Sequence, residues 1–249
     1  MIALSLIGIG TGNPEHLTLQ AIRALNAADV VLIPRKGESK ADLAELRRAI
    51  CAEVITNPAT RMVEFNQPVR DPATPNYRRR VDDWHDAIAK AWRAAITEGL
   101  PGGDGRVALL VWGDPSLYDS TLRIAARLGL RTEVIPGITS IQALAAAHAI
   151  SLNEIGNPFT VTTGRRLRDG GWPEGVDTIL VMLDGDCAFQ DLAPEGLSIW
   201  WGAYVGMAEE LTEAGPLAEA GPRILARRAE ARAQHGWIMD IYLLRRTGS

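Results

Sequence analysis

Two apolar runs near the middle of the chain end alike. Val107, Ala108, Leu109, Leu110, Val111 and Trp112 run into Gly113-Asp114-Pro115-Ser116-Leu117-Tyr118, and Val134-Ile135 run into Pro136-Gly137-Ile138-Thr139-Ser140. A short run that is apolar at nearly every position and is cut off by Gly and Pro reads as a strand buried on both faces. Such strands build parallel sheets covered by helices, and ligands of open α/β sheets bind outside the carboxyl ends of the strands. The runs therefore constrain the fold and point to where a ligand would sit.

The rest of the chain alternates in the same sense. Residues 4–9 read as a buried strand that ends in Gly8-Ile9-Gly10-Thr11-Gly12-Asn13-Pro14, residues 18–28 as a helix, and residues 30–33 as a strand stopped by Pro34. Residues 40–52 read as a helix, and either 53–55 or 62–65 as strands. Val81, Trp84, Ile88, Trp92, Ala95 and Ile96 fall on one face of a helix over 81–100. A helix over 120–128, a strand over 132–135 and an alanine-dense helix over 139–149 follow. Further strands are expected at 159–162, 178–183 and 198–204, with a terminal antiparallel one at 237–244. Strand–helix alternation predicts two α/β domains, the first with a mainly parallel sheet and the second with a mixed one. The domain change is expected near 118–120, giving domains of 1–118 and 119–249.

Composition narrows the function classes. With 249 residues, 47% hydrophobic and 22% charged, the chain is long enough for a sizeable core and is not a disordered sequence. A net charge of −4 disfavours a nucleic-acid partner. Cys51 and Cys187 are the only cysteines, which suits a reducing, cytoplasmic setting. The apolar start has no basic lead and is interrupted from Gly8 to Pro14, so neither a signal peptide nor a membrane span is expected.

Several chemistries lack their residues. The four histidines are scattered, so no metal site is expected. No lysine follows the first glycine loop and no G-x-S-x-G turn occurs. Gly8, Gly10 and Gly12 depart from the dinucleotide spacing, and no acid ends the second strand, although Arg35 could meet a 2′-phosphate and keeps an NADP-dependent oxidoreductase open. Thr139 and Ser140 can cap a helix and still meet a polar ligand. His85, beside the apolar stripe, fits the core better than catalysis, and Trp200-Trp201 read as packing.

Taken in register, three stretches resemble the tetrapyrrole methylase family across essentially the whole chain. They are Gly8 to Leu19, with Thr18-Leu19 opening the helix; Gly113-Asp114-Pro115; and Pro136-Gly137-Ile138-Thr139-Ser140. The likeness is closest to one branch, on Val31-Leu32-Ile33-Pro34-Arg35-Lys36-Gly37 with Lys40-Ala41-Asp42-Leu43, on Met182-Leu183-Asp184-Gly185-Asp186, and on Trp201-Gly202-Ala203-Tyr204-Val205-Gly206-Met207. The resemblance implies two α/β domains that hold S-adenosyl-L-methionine (SAM) in the cleft between them, S-adenosylhomocysteine (SAH) as product, and a homodimer. It implies cofactor contacts at Thr11, where the family has a proline, and at Gly113, Asp114, Pro115, Tyr118, Thr139 and Ser140. Adenine contacts are implied near Leu183, Asp184, Gly202, Ala203 and Tyr204.

The activity implied is methylation of a reduced macrocycle, at C1 of precorrin-5, with release of acetate in cobalamin biosynthesis. Precorrins carry many carboxylates, and Arg forms bidentate bonds to them. Arg35, Lys36, Arg78, Arg79, Arg165 and Arg166 are therefore candidates for the substrate's acidic arms. No general base is assigned; Asp83, His85 and Tyr204 are candidates for helping acetate release. The rivals are a methylase of the same fold with another acceptor, the NADP-dependent oxidoreductase, and a non-catalytic tetrapyrrole-binding module.

Overall fold

The computed structural model describes residues 1–35, 41–71 and 76–246, and the chain divides into two compact units, Met1–Thr139 and Ser140–Ser249. The first unit is a five-stranded parallel sheet in the order β3-β2-β4-β1-β5. Its strands are β1 (Ile2–Gly8), β2 (Val30–Arg35), β3 (Arg61–Asn66), β4 (Gly105–Val111) and β5 (Arg131–Ile135). Between them lie α1 (Leu19–Ala27), α2 (Ala41–Val54), α3 (Tyr77–Gly99) and α4 (Thr121–Ala126).

Side-chain alternation sends the sheet's residues to two cores. Leu4, Leu6, Val30, Leu32, Val107, Leu109 and Val111 pack with Ile88, Trp92 and Ile96 of α3 and Ile124 of α4. Ile7, Ile9, Val31, Ile33, Ala108 and Leu110 pack with Ala21 and Leu25 of α1 and Ile50 and Cys51 of α2. Each fully buried aliphatic side chain contributes about 1.5–3 kcal/mol. The helix starts are fixed by side chains: Thr18 Oγ1 accepts the Ala21 amide at 3.0 Å, and Asn76 Oδ1 accepts the Arg79 amide at 3.1 Å.

The second unit is a mixed sheet in the order β6-β7-β10-β8-β9. It comprises α5 (Ser140–Ala147), β6 (Phe159–Thr163), α6 (Gly164–Gly170), β7 (Thr178–Met182), β8 (Leu197–Ala203), β9 (Leu211–Pro216), α7 (Leu217–His235) and β10 (Asp240–Arg246). Ile179, Val181, Ile199, Trp201, Tyr242 and Leu244 form its main core with Leu167 of α6 and Leu217, Ala220 and Ile224 of α7. On the other face, α5 lies against β8 and β10.

Three expectations need correction or completion. β5 hydrogen-bonds to β1, so the first unit runs some twenty residues beyond the boundary expected at 118–120. Of the two alternatives the strand is the later one, 62–65 within β3, while 53–54 close α2. α6, β9 and the 19-residue α7 were not anticipated. Among the described residues no helix is long and apolar enough to cross a membrane.

Candidate functional site

Because all five strands of the first sheet run in parallel, their carboxyl ends share one edge. β1 leads to α1 on one face, whereas β4, its neighbour, leads to α4 on the other. That reversal makes the crevice between β1 and β4 the topological switch point, where open α/β sheets take ligands. The two connections meet there: the Gly113 amide donates to the Gly10 carbonyl at 2.7 Å, and Gly10 returns a bond to Gly113 at 3.3 Å.

The edge is built from backbone packed on backbone. A Cβ on Gly137 would stand 2.2 Å from the Gly113 carbonyl oxygen and 2.8 Å from the Gly8 Cα. A Cβ on Gly8 would stand 2.6 Å from the Gly137 nitrogen. Gly113 itself has φ +63°, where a side chain is strained. No residue but glycine fits at Gly8 or Gly137 without moving main chain, which leaves the rim narrow and rigid.

Asp114 fastens these loops. One carboxylate oxygen accepts the Ser116 amide at 2.8 Å and the Ser116 hydroxyl, and the other accepts the Gly137 amide at 2.9 Å. Burial by itself would raise the Asp114 pKa, but the bonds from Ser116 and Gly137 outweigh it and hold the carboxyl below its ordinary value. The side chain is thus committed to the loops, leaving backbone as the surface offered there. Pro115 is buried beside it. Tyr118, in the left-handed region at φ 48°, is 46% exposed at the rim. Thr11 is nearly buried, with its hydroxyl 3.2 Å from His16 Nδ1. Thr139 lies over Gly113, and Ser140 opens α5.

In the second unit β10 is antiparallel to both β7 and β8, and β6 is parallel to β7, so the carboxyl ends of β6, β7 and β8 share an edge. Two of them are followed by strained residues: Leu183 at φ 53° after β7, and Tyr204 at φ 52° after β8. Non-glycine residues in this region concentrate at functional sites. Leu183 is exposed, whereas Ala203 and Tyr204 are buried and a Cβ on Gly202 would strike Val205 at 2.5 Å. Tyr204 donates its hydroxyl to the Trp237 carbonyl at 2.6 Å with its ring against His235 and Trp237, so it serves as an interior pillar.

Asp184 is likewise interior. Its Oδ2 accepts the Ala188 amide and the Tyr242 hydroxyl, both at 2.6 Å, and Arg168 lies 3.7 Å from Oδ1. A Cβ on Gly164 would meet its carboxyl at 2.1 Å. The Asp184 carboxylate therefore shapes the turn that presents Leu183. The same turn is held by Arg228 of α7, which donates to the Asp184 carbonyl at 3.3 Å and to Asp240 at 2.8 Å. Sequence reasoning singled out Arg168 only as part of a basic group with Arg165 and Arg166, and missed Arg228 and Asp240, since no local pattern announces pairs so far apart in the chain.

The basic candidates lie on these edges. Arg35 ends β2, exposed and 3.6 Å from Glu64; Arg78 and Arg79 open α3, with Arg79 3.7 Å from Asp83. Arg165 and Arg166 are exposed in the first turn of α6. Lys36 lies outside the described residues. His85 is 2% exposed, and its Nε2 has no hydrogen-bond partner among the described residues. Its pKa is lowered by burial first and then by Arg127, with a smaller opposing effect of Asp82.

A doubly wound parallel unit with a glycine-built switch-point rim, followed by a mixed five-stranded unit, is the architecture of a known class. Residues 3–221 match the family model of the Tetrapyrrole (Corrin/Porphyrin) Methylases, and the chain belongs to that family. It is 52% identical to the precorrin-6A synthase [deacetylating] of Sinorhizobium sp, over 99% of this chain and 96% of that one. The crystal structure of a cobalamin synthesis related protein (CobF) from Corynebacterium diphtheriae superposes with a TM-score of 0.83 at 39% identity, covering 100% of both chains. The S-adenosyl-L-methionine-dependent uroporphyrinogen III methyltransferase of Arabidopsis thaliana is 28% identical over 72% of this chain and 45% of its own length.

Proposed function

We propose that the protein is a SAM-dependent C-methyltransferase that methylates precorrin-5 at C1 and, with one water consumed, releases the acetyl unit as acetate, giving precorrin-6A and SAH. The observation that carries this reading is 52% identity to a precorrin-6A synthase along nearly the full length of both chains. Membership of the methylase family removes the basis for the oxidoreductase reading, which rested on an imperfect glycine spacing.

The residues present suit SAM. The backbones of Gly8, Gly113 and Gly137 pack directly on one another, which leaves main chain rather than side chains at the carboxyl edge. When bound, SAM supplies an electrophilic methyl group. In-line attack on it needs positioning above all, and effective molarity from fixed geometry is worth up to about 7–11 kcal/mol. Gly113, Asp114, Pro115, Tyr118, Thr11, Thr139 and Ser140 are proposed to bind the cofactor from the first carboxyl edge and the start of α5. In this reading Asp114 acts by holding Gly137 and Ser116 rather than by touching the ligand. Leu183 and the backbone of Gly202, Ala203 and Tyr204 are proposed to receive the adenine, with Asp184 setting the turn before them. Arg35, Arg78, Arg79, Arg165 and Arg166, together with Lys36, are proposed to bind carboxylate arms of the macrocycle.

Incubation with SAM and precorrin-5, read by mass spectrometry, tests the reading. Gain of one methyl with release of acetate is the expected result; gain of a methyl alone assigns another acceptor position, and no gain overturns the function. Charge reversal of the arginines should raise KM for the macrocycle and leave SAH affinity unchanged. An equal loss of SAH affinity would remove them from the substrate side.

A further inference from the structure

The first unit encloses a cation on α2. Arg47, on α2, is 6% exposed, and its guanidinium carbon lies 4.8 Å from the centroid of the Trp112 ring. Nη1 donates to the Leu43 carbonyl of its own helix at 3.1 Å. Its Nε and the Nε1 of Trp112 are both enclosed and without a hydrogen-bond partner among the described residues. Asp119 acts on the guanidinium through space, but its Oδ1 is taken by the amide and hydroxyl of Thr121, and no ion pair joins the two. Burial pushes the Arg47 pKa down to about 10, so the group stays charged at neutral pH.

An enclosed charge with an idle donor is among the most costly arrangements a chain can keep. Stacking on an indole offsets only part of that cost. The position of Arg47 accounts for keeping it. α2 lies against Pro14–His16 in the connection after β1; Trp112 immediately precedes Gly113; and Asp119 lies in the connection after β4. The guanidinium thus stacks on the residue that opens the connection after β4, and its helix touches the connection after β1.

We propose that Arg47 is a carboxylate receptor of that crevice, with Trp112 as its platform and second donor, and that a bound ligand supplies the acceptor its Nε lacks. The planar fork of arginine suits this, since it can give two parallel bonds to one carboxylate. The proposal rests on the methyltransferase reading, which offers two sources of that group: the methionyl carboxylate of SAM and the acidic arms of the macrocycle.

Arg47→Gln and Arg47→Lys, made in the full chain, test it. The readouts are melting temperature, the Kd of SAH and of 5′-methylthioadenosine, which lacks the amino-acid part, and the KM of the macrocycle. Arg47→Gln should melt no lower than wild type, because the charge it removes is buried with no ion pair among the described residues. If the cofactor supplies the carboxylate, SAH weakens about tenfold or more while methylthioadenosine is unchanged. If the macrocycle supplies it, its KM rises about tenfold or more while SAH is unchanged. Arg47→Lys should recover part of either loss.

A lower melting temperature with SAH and methylthioadenosine weakened together, a Gln variant that does not fold, or no change in either ligand overturns the proposal. Wild-type protein that binds no SAH overturns both this and the function on which it rests. Active wild type beside an unaltered Arg47→Gln overturns this alone.

Discussion

The Asp114 carboxylate accepts the Gly137 amide at 2.9 Å and so joins the loop after β4 to the loop after β5. Between those loops the backbone of Gly137 rests on the Gly113 carbonyl, with no side chain that could yield. Gly137→Ala is expected to cost at least about 1–3 kcal/mol, the usual penalty of overpacking. It should also weaken SAH by more than the loss of fold accounts for. Gly102→Ala, where a Cβ meets nothing within 4 Å, is the control. Calorimetry and thermal melting of both variants settle it; a silent Gly137→Ala would show that the rim can shift.

The Asp184 carboxylate should behave as an interior group. Asp184→Ala leaves the Tyr242 hydroxyl and the Ala188 amide unpaired, a loss of about 3–5 kcal/mol or roughly 6–20 °C in Tm. Tyr242→Phe alone should cost less. The two should couple by about 1–3 kcal/mol in a double-mutant cycle, whereas additivity would contradict the contact.

Leu183 is expected to show stability and binding moving in opposite directions. It holds φ 53° with 67% of its surface exposed, so little burial would be lost with its side chain. Leu183→Gly removes a left-handed penalty of about 1–2 kcal/mol and adds a backbone-entropy cost of about 0.5–1 kcal/mol, a net gain of about 0–1.5 kcal/mol. SAH affinity should nevertheless fall, measured beside Tm on one preparation. Unchanged affinity would remove Leu183 from the proposed adenine site.

Stability should decline toward acid in two stages. Burial, with Arg127 beside it, lowers the His85 pKa, so the unfolded chain takes up a proton near 6.5 before the folded one does. The contribution of His85 is whole above that pH and is lost as the pH falls through its folded value. The bonded Asp114 carboxyl has its pKa lowered from 3.8, so its contribution is lost only at still lower pH. Urea unfolding from pH 8 to 3 should show both stages, and His85→Leu should remove the first. A first stage that survives in the variant belongs to another group.

The first unit was the more legible in the sequence because its strands are apolar at successive positions and its loops carry Gly and Pro. The alternation of Val30 to Ile33 between two buried faces needed no distant information. α7 escaped because Gly221 and Pro222 interrupt it and its surface is largely charged; packing of Leu217, Ala220 and Ile224 on the second sheet overrides that poor propensity. β9 carries Glu213 and Gly215 and owes its form to pairing with β8. At the site, Gly113, Asp114 and Gly137 could be singled out by motif, but not that Asp114 spends its carboxylate on the loops. Arg47 could not be found at all, since what distinguishes it is the ring it stacks on and the acceptor it lacks.

β1, the first of the described strands in the chain, lies between β4 and β5, and β10, the last of them, lies between β7 and β8. A chain emerging in sequence holds β1 without either neighbour until residues 105–111 and 131–135 have followed. Residues 178–182 and 197–203 wait in the same way for 240–246. The second half therefore receives its central strand last, the first half leaves β1 unpaired until β4, and the apolar strands exposed meanwhile are the point at which a slow or interrupted synthesis would lose the protein to aggregation.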